Sequence, residues 1–117
     1  MVWTVVFHEE FEGEFDGLKT TVQDGLLSKM LLLEEFGPRL GRPHVDTLNG
    51  SKFSNMKEIR FDAEDGVWRV AIAFDPERRA ILLVAGDKSG VSHKNFYKML
   101  IKKADERFVE HLENLKK

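Results

Sequence analysis

The sequence predicts an α+β domain spanning residues 1–117, with the order β-α-α-β-β-β-α: a mostly antiparallel four-stranded sheet, an N-terminal helical hairpin on one face and a C-terminal helix. Three observations predict it. Residues 56–86 hold three β-rich runs joined by four-residue turns, which makes an antiparallel meander. Both flanks of that block carry apolar residues at helical spacing. The 117 residues, with 42% hydrophobic and 32% charged, suit one core and leave no tract that composition would keep disordered.

The elements follow in order. Val2-Trp3-Thr4-Val5-Val6-Phe7 is β-branched and aromatic and reads as a strand; the apolar period then changes to Phe7, Phe11, Phe15 and Leu18, which is helical. A second helix starts from Thr20 or Thr21 as N-cap and presents Val22, Leu26, Leu27, Met30, Leu33 and Phe36 before the stop at Gly37-Pro38. Residues 37–54 show no period and contain two of the three prolines, so they read as a long basic loop with Arg39, Arg42, His44 and Lys52. Strands are expected at 56–62, 67–75 and 79–86. The last of these is apolar without alternation, as in a central strand covered on both faces, and the N-terminal strand is expected beside it. Ser92 is the expected N-cap of a final helix with Phe96, Leu100, Ala104, Phe108, Leu112 and Leu115 on one stripe.

Composition narrows the function. The chain has no cysteine and opens on MVWTVVFHEEFE, with neither a basic leader nor a long apolar stretch, so a cytoplasmic protein without disulfides or membrane attachment is expected. His8, His44, His93 and His111 lack metal-ligand spacing, so no metal is expected. Gly86-Asp87-Lys88-Ser89-Gly90 has only the Lys-Ser of a phosphate loop, so no nucleotide cofactor is expected either. Charge is divided unevenly along the chain. Residues 1–38 hold two basic and eight acidic side chains (−6), residues 39–103 hold thirteen and eight (+5), and residues 104–117 hold three and four (−1), giving the total of −2. A basic pole is what a polyanion would meet.

Alternation places Trp68, Val70, Ile72 and Phe74 toward the helices and Arg69, Ala71 and Ala73 on the other face. Glu58 and Arg60 of the neighbouring strand share that second face, which is expected to be a shallow open floor with arginine at its edge. Lys88 follows the central strand, and Lys94, Lys98 and Lys102 recur at i+4 along the last helix. With that helix along the sheet edge, ridge and floor bound a positively charged groove.

The segments RPHVDTLNGSKFSNMKEIRF, GVWRVAIAFDPERRAILLVAGDKSG and KNFYKMLIKKADERFVEHL together resemble the phage-derived, HigB-like branch of the RelE/ParE toxin superfamily. The resemblance covers nearly the whole chain and implies the same β-α-α-β-β-β-α fold. It also implies the toxin of a type II toxin–antitoxin pair, neutralised by a helix-turn-helix antitoxin encoded by the adjacent gene. The toxin would cleave mRNA in the ribosomal A site without metal, by attack of a ribose 2′-OH on the adjacent phosphate. That chemistry needs a base, positive charge at the phosphate and a proton for the leaving oxygen. The resemblance assigns Arg69 and Lys88 to the phosphate and Tyr97 to base stacking or proton transfer, with Arg60 beside them. Lys57, Lys94, Lys98, Lys52 and Arg42 are the expected RNA contacts. Glu58 stands where RelE carries a lysine that helps activate the nucleophile. The superfamily leaves two alternatives open: a ParE-like gyrase poison, or a toxin-like binding module without catalysis.

Overall fold

Hairpin turns set the sheet. In the computed structural model, which describes residues 2–117, β3 (Met56–Ala63), β4 (Gly66–Phe74) and β5 (Arg79–Asp87) form the antiparallel meander. The β3–β4 turn holds Glu64 and Asp65 at φ of 52° and 59°, the mirror-image turn that matches strand twist. In the β4–β5 turn Asp75 Oδ1 accepts the N–H groups of Glu77 and Arg79 at 3.0 and 2.9 Å. β1 (Thr4–Phe7) lies beside β5, as expected, and pairs with it in parallel.

The sheet has five strands where four are expected. Val45–Thr47 forms a short β2 antiparallel to β3, so the order is β1-β5-β4-β3-β2. The 37–54 connection is therefore not structureless: a 3-10 turn (Gly37–Arg39) precedes β2. Three residues are too few to show a period, and only pairing with β3 makes them a strand.

Helices α1 (Glu9–Asp16) and α2 (Thr20–Phe36) cover one face. Phe11, Leu26 and Leu33 pack there on Ile59, Val70, Ile72 and Leu82. Lys19, rather than Thr20 or Thr21, precedes α2 and offers no side-chain cap; the Thr21 hydroxyl bonds Glu64 instead. Gly37 ends α2 at φ 56°, where a Cβ would collide with the Trp3 indole.

The opposite face corrects a second expectation. Helix α3 (His93–Leu115), capped by Ser92 Oγ, does not flank the sheet edge but lies across this face. Phe96, Leu100, Ala104 and Phe108 bury Ala71, Ala73, Ile81 and Leu83, so the floor is a second core. The alanines are small because a helix seats on them. A bulge in β5 helps: Ala71 pairs Val84 and Ile72 pairs Leu82, leaving Leu83 unpaired in the ladder. Leu83 and Val84 then both face α3, and Gly86 falls under Phe96, where a Cβ would lie 2.9 Å from the ring. Among the described residues no helix is long and apolar enough to cross a membrane.

Candidate active site

α3 covers the sheet only in part, and its first turns leave open the corner where β2, β3 and the end of β5 meet. A polar cleft of about 330 Å³ opens there, lined by Arg42, Asp46, Asn49, Glu58, Arg60, Lys88, His93 and Tyr97. The register explains the meeting. Asp46 pairs Glu58 across β2–β3, and Arg60 pairs Arg69 across β3–β4, so all four side chains share one face. His93 and Tyr97, four residues apart on α3, face the same space with rings 4.6 Å apart.

Glu58 is the centre. It is buried, its Oε1 accepts the Tyr97 hydroxyl at 2.7 Å, and Arg69 Nε lies 3.8 Å from the same oxygen. Two carboxylates opposed across a ladder repel, and Asp46 and Glu58 coexist because arginines surround them. Arg42 Nε and Nη2 reach Asp46 Oδ2 at 2.9 and 2.7 Å, and Arg60 Nη1 reaches it at 3.4 Å. The Arg42 hydrogen bond holds the Asp46 carboxyl below the usual carboxylate range, helped by the Thr47 N–H. Burial pushes the Tyr97 hydroxyl up, and the bond to Glu58 adds to that. Both effects favour the Tyr97 hydroxyl as a donor to Glu58.

The Lys88 ammonium lies 5.9 Å from the Tyr97 ring centroid. Its backbone is fixed by a bond from its N–H to the Val67 carbonyl and by Asp87, whose Oδ1 takes Val67 N–H, Ser89 N–H and Ser89 Oγ. The Ser89 hydroxyl bond is the main cause that lowers the Asp87 carboxyl. The Gly86–Gly90 corner is thus closed by its own aspartate and presents Lys88 to the cleft.

Of the residues expected to act, the structure brings Arg42, Arg60, Lys88 and Tyr97 together in the cleft. Arg69 is 5% exposed; it lies beneath the cleft and reaches it through Glu58, not on an open floor. Lys57 pairs with Ile72 and so points to the α1/α2 face. Lys52 is drawn to the side of α3, its backbone bonded to Asp105 and its ammonium 5.7 Å from the Phe53 ring centroid. Lys94 and Lys98 are exposed on α3 and do not line the cleft. The readings of single residues missed Asp46 and His93 as site groups, and placed Glu58 on this face without giving it a role of its own. The His93/Tyr97 spacing behind a Ser cap was the available signal for one of them; Asp46 had none, because β2 was not foreseen.

The fold and sequence have relatives. Residues 13–109 match the family model described as phage derived protein Gp49-like (DUF891). Two proteins of Mycobacterium tuberculosis (strain ATCC 25618 / H37Rv), named as candidate toxins HigB2 and HigB3, are similar. HigB2 is 42% identical over 105 residues, 89% of this chain and 52% of that protein, so the chain spans about half of HigB2's length. HigB3 is 43% identical over 103 residues, 88% of each chain. A mutant of E. coli toxin RelE solved in the free state superposes with a TM-score of 0.63 at 18% identity, covering 88% of this chain and 97% of that one.

Proposed function

We propose that this chain, which belongs to the phage-derived Gp49-like family, is similar in sequence to HigB toxins and shares the fold of RelE, is a metal-independent endoribonuclease, the toxin of a toxin–antitoxin pair. One observation carries the reading: a buried carboxylate, Glu58, hydrogen-bonded to Tyr97 at the foot of a cleft that also holds Arg60, Lys88 and His93. A gyrase poison or an inert module has no need of a base set among cations.

In this reading a ribose 2′-OH enters the cleft and gives its proton to Glu58. The 2′-oxygen bonds to the adjacent phosphorus, the P–O5′ bond breaks, and the O5′ takes a proton from His93. The products are a 2′,3′-cyclic phosphate and a 5′-hydroxyl. Arg60 and Lys88 face the phosphate as its charge grows, Tyr97 orients Glu58, and Arg69 sets the position and field of that carboxylate from below. The substrate is mRNA held in the ribosomal A site, and the antitoxin is a helix-turn-helix protein encoded alongside.

Induced expression in bacteria is the test, following growth, mRNA ends and plasmid supercoiling with and without the adjacent gene. Growth arrest with cleaved mRNA, reversed by that gene, is expected, and purified protein should still cut in EDTA under conditions that keep the ribosome intact. Glu58→Gln should slow cleavage by roughly 10²–10⁴-fold, the usual worth of a positioned base. Arrest with intact mRNA and altered supercoiling would point to gyrase instead.

A further inference from the structure

Arg42 and Arg60 line two depressions: the cleft described above and a second one of about 490 Å³ formed with Pro43 on its far side. The wall between them consists of two guanidiniums held on one oxygen, Asp46 Oδ2. The other oxygen takes the N–H of Thr47 at 2.9 Å. This arrangement is not a structural ion pair of the core: the side chains of Arg42, Asp46 and Arg60 are 73%, 30% and 29% exposed, and pairs so placed contribute little to folding. Two converging arginine forks are, by contrast, the usual receptor for a phosphate.

We propose that Arg42, with Arg60 bridging to it from the scissile phosphate, forms a phosphate subsite for the nucleotide next to the cleaved bond, and that Asp46 is a built-in anionic occupant which the RNA backbone must displace. The inference rests on the nuclease reading of the cleft and adds to it a second binding position and a brake on it. A phosphodiester offers two free anionic oxygens to forks that now share one carboxylate oxygen, so it wins the exchange once a strand is seated. Displacement needs only a side-chain rotation of Asp46, because its backbone stays in β2. The adjoining depression around Pro43 is large enough for the attached nucleoside. The brake also gives Arg42, whose side chain is 73% exposed, a role that stability does not.

The experiment is binding of a 2′-O-methyl oligoribonucleotide, which cannot be cleaved, measured by fluorescence anisotropy across a salt series. Asp46→Asn keeps the shape, removes the competing charge and should tighten binding three- to tenfold. Arg42→Ala should weaken binding about tenfold and flatten the slope of log K against log salt by roughly 0.7, the loss of one single-strand phosphate contact. In an Arg42→Ala/Arg60→Ala background Asp46→Asn should gain nothing. If Asp46→Asn binds no better than wild type, or worse, Asp46 merely props the arginines and the inference falls. Binding by none of the proteins overturns both the nuclease reading and the subsite. Binding with the expected pattern, but no cleavage of mRNA on intact ribosomes, overturns the nuclease reading and leaves the phosphate subsite standing.

Discussion

Arg69 and Arg107 are both buried arginines whose Nε meets no acceptor among the described residues, yet their surroundings differ. Arg107, on α3, forks onto Glu14 at 2.8 and 2.6 Å, reaches Glu10 at 3.3 Å and donates to the Leu83 carbonyl at 2.7 Å. That carbonyl belongs to the bulge residue that the ladder leaves unpaired, so Arg107 closes a gap in the sheet and ties α1 to α3. Arg69 donates to one carbonyl, that of Trp68 at 2.9 Å, and its carboxylate is 3.8 Å away. A guanidinium has five N–H donors, and Arg69 uses few of them. The difference teaches where this molecule spends charge on architecture and where it holds charge in reserve: both terminal nitrogens of Arg107 are engaged by structure, whereas Arg69 and Glu58 keep an unspent field beside an open cleft.

Arg69→Ala gives the largest expected effect. It should lower the cleavage rate by about two orders of magnitude, near the about 3–4 kcal/mol that one electrostatic donor is worth. Because Arg69 acts through Glu58, kcat should fall while KM holds, and Arg69→Lys should restore part of kcat. The substitution also strands part of a buried carboxylate's pairing, so melting should drop as well, contrary to a surface arginine's behaviour. A variant with unchanged kcat would erase the contrast with Arg107.

Arg107→Ala should do the opposite, with full activity per folded molecule and a loss of about 2–4 kcal/mol from an orphaned carbonyl and a cavity. Chemical denaturation read beside cleavage checks both halves. Tyr97→Phe comes next: the ring stays against His93 and only the bond to Glu58 goes, so about 1 kcal/mol of stability and roughly tenfold in rate are expected. A rate unchanged by Tyr97→Phe would show that Glu58 needs no orientation from α3.

The smallest effect is a pH dependence at the Arg107 seam. The hydrogen bond from Arg107 lowers the Glu14 carboxyl below its ordinary 4.5. A depressed carboxyl stabilises the fold above its unfolded value and loses that contribution as pH falls through the lower folded value. Melting temperatures of wild type and Glu14→Gln should therefore differ most above about pH 5 and converge in stronger acid. Glu14 is half exposed, so the gap is small, and a gap that widened in acid would reverse the sign assigned to the seam.

Local signals in the sequence determined most of the architecture. Turn residues at 63–66 and 75–78, strand composition at 56–86 and the stripes of α2 and α3 specified elements whose order the fold keeps, because each depends on neighbours within a few residues. The two-sided burial of β5 was legible too, since an unbroken apolar run has no wet face. The opposite orientation of Lys57 and Glu58 follows from strand alternation alone and could have been read. Tertiary structure decided the rest. Val45–Thr47 is a strand only because β3 lies beside it, and Ala71 and Ala73 look like an open floor until α3 is laid across them. Arg107, which no sequence signal singled out, is buried with its guanidinium on the Leu83 carbonyl that the bulge leaves unpaired. Glu58, which alternation put on the Arg69 face without a partner, became the centre of the candidate site because β-register set Asp46 and Arg60 beside it and α3 brought Tyr97 from 39 residues away. Local preference is written in adjacent residues, whereas charge that does chemistry depends on which distant groups packing leaves within reach.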